Sequence, residues 1–194
     1  MTNNPPNILF ILTDQQRQDS LAAYGNDWIE TPALNDLASR SFVFENAYVT
    51  QPVCSPARST MMTGLYPHSA GVVRNSQPGR PFSSLFPDAK TIAEIVSDDY
   101  VCAKYGKWHL GDNYPFRPHN RGFEEALYHG GGGISQTPDY WGNDYYDDTY
   151  LRNGAAEKVE GYCTDVWFEK AGDWIEENKD GPFFVYLATN APHG

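Results

Sequence analysis

The chain has 194 residues, of which 40% are hydrophobic and 20% charged, and its formal net charge is −11. This length and hydrophobic content allow one α/β domain with a substantial core, which excludes an intrinsically disordered protein. The acidic balance argues against nucleic acid as a partner, because phosphate backbones are bound by clustered Lys and Arg. No apolar run reaches the length of a membrane span.

The N-terminus and the cysteines bear on the compartment. Residues 1–6 carry no basic region and the apolar run after them is short, so we predict no signal peptide. The location is then cytoplasmic, or periplasmic or secreted if a leader has already been removed. Cys54, Cys102 and Cys163 are odd in number and far apart, which favours neither a disulfide framework nor a zinc site. We expect Cys102 and Cys163 in the core.

The first half of the chain alternates apolar runs with helical patterns. Residues 7–13 predict a strand that is buried on both faces. Thr31 and Pro32 open a predicted helix, with Leu34 and Leu37 on its apolar face. Residues 41–49 predict a second strand.

The second half continues the alternation. We predict a helix over 91–97, a strand over 100–105, an irregular segment over 111–153, an amphipathic helix over 164–178 and a buried strand over 182–189. Strands that alternate with helices predict a mostly parallel central sheet flanked by helices.

Residues 52–64, PVCSPARSTMMTG, form the most informative segment of the chain. Ser55 suits a helix N-cap, Pro56 the first helical position and Gly64 the helix stop. A helix start offers free N–H groups and the positive end of the dipole to an anion. Cys54, just before that start, would therefore face a bound oxyanion as a nucleophile, whereas the alternative is a buried structural cysteine.

Other polar groups follow predicted strands. Asp14 and Gln15 end the first strand, where ligands bind in open α/β sheets, and their oxygens suit a hard cation, although a helix cap or turn is the simpler alternative. Lys107 and His109 follow the strand over 100–105, and His193 follows the last strand. Taken alone, Lys107 and His109 are more typical of an exposed strand-end lysine with a half-buried histidine, and a lone histidine such as His193 would indicate no function.

Two segments resemble signatures of the formylglycine-dependent sulfatases. Residues 54–58 with the following Thr-Gly are similar to that family's C-x-P-x-R motif, and residues 106–111, GKWHLG, to its second signature. Residues 191–194, APHG, resemble its Pro-His element, and Asp14 and Gln15 match its metal position. The resemblance implies an α/β fold like that of the alkaline-phosphatase superfamily, with residues 1–194 as the N-terminal part of the catalytic domain.

The resemblance also implies the chemistry of a sulfuric ester hydrolase acting on aryl or carbohydrate sulfates. A formylglycine-generating enzyme would oxidise Cys54 to an aldehyde, whose hydrate is the nucleophile. Asp14, Gln15 and the modified Cys54 would bind Ca²⁺, and Arg58 would orient the hydrate. The implied roles of the remaining groups are sulfate binding for Lys107 and His193, with acid–base chemistry for His109.

Several alternatives stay open. A phosphonate monoester or phosphodiester hydrolase of the same superfamily is the nearest rival, although the Lys-Trp-His triplet at 107–109 favours sulfate esters. An inactive fragment that binds sulfated glycans is another, because family members are longer and carry further metal ligands and a second lysine beyond Gly194; we therefore expect weak metal binding by this chain.

Three further segments contain residues that could bind a ligand. The aromatic-rich segment 139–148 predicts a substrate wall, a loop pinned by tyrosines or a second metal site. His68 has no assigned role, and Gly130–Gly133 predicts only a flexible turn, since no phosphate-loop signature accompanies it.

Overall fold

Six strands form one mixed sheet in the computed structural model, which describes residues 5–75, 84–134 and 144–193. The strands are β1 (Ile8–Asp14), β2 (Val101–Gly106), β3 (Glu125–Tyr128), β4 (Thr149–Arg152), β5 (Ala155–Lys158) and β6 (Phe183–Pro192). Their order across the sheet is β1-β6-β2-β3-β4-β5. The first four in this order are parallel to one another, while β4 and β5 are added as an antiparallel hairpin. The predicted α/β class with a mostly parallel sheet is confirmed.

Five α-helices lie among the described residues. They are α1 (Pro32–Ser39), α2 (Cys54–Thr63), α3 (Pro67–Ala70), α4 (Ile92–Val96) and α5 (Cys163–Asn178). Thr91 caps α4 through a reciprocal capping box with Glu94, which explains why this short helix starts where the sequence predicts. None of the described helices is long and apolar enough to span a bilayer.

The sheet has a hydrophobic core on each of its two faces. One core contains Met62 of α2 and Ala93 of α4 with Cys102 and Phe184 from the sheet. The other core packs α5 against the opposite face through Cys163 and Trp167, with further residues from β2 and β6. Successive side chains of a strand point to opposite faces, so β2 and β6 supply both cores and are buried along most of their length. Cys102 and Cys163 are core residues, as predicted.

Two strand predictions in the first half need correction. Residues 41–49 form no strand, and Phe42 in this segment is 96% exposed. A strand requires a hydrogen-bonded neighbour, and among the described residues β1 pairs with β6 alone. The prediction that β1 is buried on both faces is also wrong. Leu9 and Ile11 are 48% and 45% exposed, because β1 is the edge strand and only alternate residues reach the core.

The segment 111–153 is more ordered than predicted. It contains a 3₁₀ turn at Pro118–Asn120 together with β3 and β4. Asn153 and Gly154 join β4 to β5 with φ of 50° and 90°, the positive values that an Asn-Gly hairpin turn requires. Each strand has only four residues, which is too short for a periodic pattern to stand out among the surrounding Gly, Pro and Asp.

Gly106 is a position where the fold requires glycine. Its φ is 85°, and a Cβ at this position would lie 2.1 Å from the carbonyl oxygen of Ala188 on β6. We expect Gly106→Ala to lower the free energy of unfolding by about 2–4 kcal/mol, because the backbone must move to relieve the clash. Urea denaturation of the purified chain measures the change.

The matched control is Gly172→Ala. Gly172 lies on an exposed turn of α5, and its Cβ would meet nothing within 4 Å. We expect this variant to gain up to about 1 kcal/mol, since alanine is the better helix former. Equal effects of the two substitutions would contradict the close approach of β2 and β6.

Candidate active site

The polar groups predicted from the sequence meet at the carboxyl edge of the parallel strands. Asp14 is the last residue of β1, Lys107 directly follows β2, and His193 directly follows β6. These three strands are neighbours in the sheet, so the ends of all three lie side by side. Helix α2, which begins at Cys54, contributes Arg58 to the same edge.

A buried ion cluster lies at the centre of this edge. Lys107 Nζ donates to Asp14 Oδ2 at 2.5 Å, and Arg58 Nη2 donates to the same oxygen at 3.2 Å. All three side chains are at most 9% exposed. One carboxylate therefore faces two cations, which leaves the cluster with an excess of positive charge.

Arg58 also joins the cluster to the sheet. Its Nη1 donates to the carbonyl oxygen of Lys107 at 3.0 Å and to the hydroxyl oxygen of Tyr186 on β6 at 3.2 Å. The planar guanidinium thus binds groups from three strands at once, which fixes the first turns of α2 against the sheet. This burial excludes a solvated surface arginine at position 58.

The pKa of Asp14 is set by opposing effects. Burial raises the pKa of this carboxyl group. The hydrogen bond from Lys107 and the charges of Arg58, Lys107 and His193 lower the pKa by more than burial raises it, so the net pKa lies below the ordinary value. The carboxyl group is ionised at neutral pH. His193 and Asp14 also line a common cavity, so the two residues lie close together.

The register between β1 and β6 explains why His193 is close. Asp14 pairs with Pro192, after a shift in register beyond Leu12. Between the pairs Leu12–Ala188 and Asp14–Pro192, β1 advances two residues and β6 four, so both strands end together and His193 follows β6 where Gln15 follows β1. Gln15 itself has a φ of 58°, an uncommon value for a residue other than glycine and one often found at functional sites.

A cleft of about 550 Å³ opens beside the ion cluster. Its lining includes Asp14, Gln15, Cys54, Arg58 and His193. Cys54 is half-buried there, so its side chain is accessible to a molecule in the cleft. The structure thus brings together five of the seven predicted site residues on one wall, with Lys107 buried directly behind Asp14 and His109 close to Lys107.

The start of α2 differs from the prediction. The N-cap is Val53, and Ser55 and Pro56 lie inside the first turn, where both are buried. The N–H of Ser55 is satisfied from outside the helix by the side chain of Asn75, at 3.2 Å, so no capping side chain is needed at Ser55. The predicted stop is confirmed, since Gly64 ends the helix with a φ of 69°.

Two histidines lie deep in the site. His109 is 4% exposed, with a φ of 60°. Burial, followed by the charges of Lys107 and Arg58, lowers its pKa to about 3. His129 is 1% exposed, and burial is again the main reason that its pKa is about 3. Both rings are neutral at pH 7.

Three further site residues, His129, Asn190 and Tyr186, were not predicted from the sequence, whereas Tyr145 belongs to the aromatic-rich segment 139–148. His129 Nε2 lies 2.8 Å from Asn190 Nδ2, and Asn190 and Tyr145 line a small cavity shared with Asp14, Lys107 and His193. A usable signal existed for His129 and Asn190. His129 directly follows β3 and Asn190 lies near the end of β6, at the edge that also carries Asp14.

The remaining sequence hypotheses have mixed outcomes. Residues 139–143 of the aromatic-rich segment lie outside the described residues. In the described remainder, the carboxylate of Asp148 accepts the N–H groups of Asp144 and Thr149 at 2.9 and 2.7 Å, which favours a pinned loop. Gly130–Gly133 is more than a flexible turn, because the N–H of Gly131 donates to Asp112 and Gly133 lines the small cavity.

His68 lies outside the site, and the predicted metal ligands form only part of a metal site. His68 is exposed and its ring stacks on Tyr66 at 5.9 Å, and it is absent from the linings of the cavities described here. Within residues 5–75, 84–134 and 144–193, no three His, Cys, Asp or Glu side chains assemble into a metal-binding group. Asp14 and Gln15 are nevertheless neighbouring oxygen donors on the wall of one cleft.

The buried neutral histidines predict a pH-dependent stability. Because the pKa of His129 is about 3 in the folded chain and near 6.5 when unfolded, the unfolded state binds more protons between these values. Stability is therefore retained above pH 6.5 and lost as the pH falls below it. From pH 7 to pH 5 we expect His129 to account for a loss of about 2 kcal/mol, measured by urea denaturation.

His129→Gln removes one of the two buried titrating rings and should reduce this pH dependence by about half, because His109 contributes a similar share. The matched control is His68→Gln, which changes an exposed histidine and should leave the slope intact. Asp14 contributes little in this window, since its pKa is lowered from an ordinary value that is already acidic. An unchanged slope in His129→Gln would contradict the buried neutral ring.

Comparison with known proteins is consistent with this geometry. The family model described as Sulfatase matches residues 6–194. Over 97% of its length, the chain is 31% identical to human N-acetylgalactosamine-6-sulfatase and 31% identical to the ulvan-active sulfatase of Formosa agariphila. The crystal structure of Ps i-CgsB in complex with k-i-k-neocarrahexaose matches with a TM-score of 0.86 and 34% identity.

The chain spans only part of each of these proteins. It covers 40% of the human enzyme, 35% of the Formosa agariphila enzyme and, with 97% of its own length, 46% of the Ps i-CgsB chain. The family match itself extends over almost every residue of this chain. The chain therefore belongs to the sulfatase family.

Proposed function

We propose that this site takes part in the hydrolysis of sulfate esters of carbohydrates, with Cys54 as the source of the nucleophile. The observation that carries the proposal is the buried cluster of Asp14, Arg58 and Lys107 beside the start of α2. A sulfate monoester carries one negative charge, which the positive excess of this cluster complements. Membership of the sulfatase family supports the same chemistry.

Sulfate binding falls to groups that donate hydrogen bonds. Lys107 is an ammonium group with three donors, and Arg58 offers a planar fork. His193, at the rim of the cleft, is the third proposed sulfate ligand. The positive end of the α2 dipole lies next to Cys54, the first residue of that helix, and adds to the attraction for an anion.

Cys54 would be modified before it acts. Conversion to formylglycine by a maturing enzyme supplies, after hydration, two hydroxyl groups on one carbon, one for attack on sulfur and one for release of sulfate. The position of Cys54 fits this use, because it is the first residue of α2 and half-buried on the cleft wall. A thiol that served only as a core residue would be buried, as Cys102 and Cys163 are.

Asp14 and Gln15 are the residues that would hold Ca²⁺, together with the oxygen of the modified Cys54. The fit is one of chemistry: Asp14 is an ionised carboxylate, Gln15 offers an amide oxygen, and both line the cleft. Bound there, the ion would offset negative charge on the ester and raise the acidity of the attacking hydroxyl. Ca²⁺ is coordinated by about six to eight oxygen atoms, and these residues would supply some of them.

His109 is the proposed acid–base group. Its ring is neutral at pH 7 and lies close to Lys107, whose charge contributes to its low pKa. A neutral imidazole has one donor and one acceptor nitrogen, so it can exchange a proton with a neighbouring hydroxyl.

The carbohydrate class is supported by the relatives. Their names refer to N-acetylgalactosamine-6-sulfate and ulvan chemistry, and the Ps i-CgsB structure contains a neocarrahexaose. This chain shares about a third of its residues with each of them. We therefore infer a sulfated carbohydrate as substrate, with simple aryl sulfates as surrogate substrates.

The modification of Cys54 can be measured directly. Protein produced from its native gene in a host with a formylglycine-generating enzyme is digested, and the peptide that contains Cys54 is analysed by mass spectrometry. We expect the mass of an aldehyde in place of a thiol, whereas the Cys102 and Cys163 peptides of the same sample serve as unmodified controls. An unmodified thiol at Cys54 would contradict the proposed nucleophile.

Arg58→Lys tests the anion site. The variant keeps the charge but loses the fork that binds Asp14, Lys107 and Tyr186 together, and we expect kcat to fall by about 100-fold or more. Release of sulfate from 6-sulfated N-acetylhexosamines by the matured protein is followed by ion chromatography. Lys170→Met is the control and should retain full activity, since Lys170 lies on α5, is half-buried and is absent from the lining of the cleft.

The rival activities are separated in the same assay. Matched aryl sulfate and aryl phosphonate esters are compared under identical conditions, and faster turnover of the phosphonate would overturn the proposal. Glycan binding that is unchanged in Cys54→Ala, with no turnover at any Ca²⁺ concentration, would instead indicate a binding protein.

A further inference from the structure

We propose that His129 and Asn190 form a positioning pair, in which the ring of His129 fixes the amide of Asn190 so that an acceptor faces Lys107 and His193. The pair acts through His193, whose backbone is tied to Asn190. The role in catalysis rests on the proposed function, but the hydrogen-bond directions within the pair do not.

The pair spans the end of a strand. His129 follows β3, and Asn190 lies on β6, with β2 between these two strands. Strand β2 ends at Gly106, so the His129 ring can reach across its end to Asn190, where Nε2 and Nδ2 are 2.8 Å apart. Both side chains are buried, at 1% and 4% exposure.

The hydrogen-bond partners determine the tautomer of His129. Its Nδ1 lies 2.8 Å from the carbonyl oxygen of Gly130, which can only accept, so Nδ1 carries the proton. The ring is neutral, because burial lowers its pKa and the nearby charges of Lys104, Lys107 and Arg58 act in the same direction. Nε2 therefore has a free lone pair and accepts from the Asn190 amide N–H.

The tautomer in turn fixes the amide of Asn190. With Nδ2 donating to His129, Oδ1 remains as the acceptor, and it is buried without a partner among the described residues. Asn190 lines the small cavity that it shares with Asp14, Lys107 and His193. An amide flipped the other way would direct its N–H groups at the cationic side of this cavity, which is electrostatically unfavourable.

Asn190 is also linked to His193 through the backbone. The N–H of His193 donates to the carbonyl oxygen of Asn190 at 3.0 Å. Asn190 therefore acts on His193 in two ways. Its carbonyl oxygen orients the His193 backbone, and its side chain supplies an acceptor in the cavity that His193 also lines. Displacement of Asn190 would move His193 relative to Asp14, and misplacement of this kind costs turnover more than affinity.

The tautomer is tested without any assay of activity. ¹⁵N chemical shifts of the His129 ring, from two-bond ¹H–¹⁵N correlation spectra of the labelled chain, distinguish protonated from unprotonated nitrogens. We expect Nδ1 protonated and Nε2 unprotonated between pH 7 and pH 5. A protonated Nε2 would overturn the proposal, even if the protein hydrolyses sulfate esters as proposed.

Two substitutions separate positioning from a purely structural role. His129→Gln places an acceptor where Nε2 lies and can still bind Asn190, whereas His129→Asn keeps a donor for Gly130 and loses the Asn190 contact. In the matured protein we expect kcat within about fivefold of wild type for the first and at least about tenfold lower for the second, with KM changed less than about threefold in both. His68→Asn is the control.

Unfolding free energies of both variants are measured alongside the kinetics. A structural role alone predicts that the two variants lose activity in proportion to lost stability, and equal kcat values at equal stability would contradict the pair. If wild-type protein shows no sulfatase activity while Nδ1 is protonated, the proposed function has failed but the hydrogen-bond assignment remains.

Discussion

The ionised carboxylate of Asp14, buried between two cations, is the constraint on which the rest of the site depends. Removing a carboxylate from water is costly, and here the cost is offset because Lys107 and Arg58 both donate to Oδ2. Replacement of Asp14 would leave two buried cations without a counter-charge, and replacement of either cation would remove one of the two hydrogen bonds to Oδ2. The cluster therefore fixes β1, α2 and the end of β2 in one arrangement, and its surplus positive charge makes the adjoining cleft attractive to an anion. The overall charge of −11 has no comparable influence at this point, because buried groups act locally and solvent screens distant ones.

Strand topology brings these charges together, and a glycine permits the close contact. The parallel order β1-β6-β2-β3 brings the carboxyl ends of four strands to one edge. Gly106 lets β2 end directly against Ala188, so that the N–H of Lys107 donates to that carbonyl at 2.9 Å and its side chain turns towards Asp14. Lys107 thus donates to an oxygen atom of Asp14, although 93 positions separate the two residues in the chain.

Sequence patterns predicted those site residues whose position depends on their own strand or helix. The segments around Cys54, Lys107 and His193 follow strands or begin a helix, and the structure brings them to the predicted edge, although their catalytic roles remain predictions. His129, Asn190 and Tyr186 were missed because their importance arises from partners far away in the chain: His129 meets Asn190 across 61 positions, and Tyr186 meets Arg58 across 128. The strand predicted over 41–49 failed for a related reason, since a strand depends on a neighbour that its own residues do not specify.

The excess of positive charge also explains the state of the histidines. Near Lys107 and Arg58, a protonated imidazole would add a further buried cation, so burial and repulsion together keep His109 and His129 neutral. A neutral ring, unlike a protonated one, has a donor side and an acceptor side. Each hydrogen bond that it makes therefore has a defined donor and acceptor, and this also fixes the orientation of the next polar group. His129 donates to the carbonyl oxygen of Gly130, so its other nitrogen accepts from the amide of Asn190. The same charge surplus that favours an anion in the cleft thus also fixes the polarity of the groups behind it.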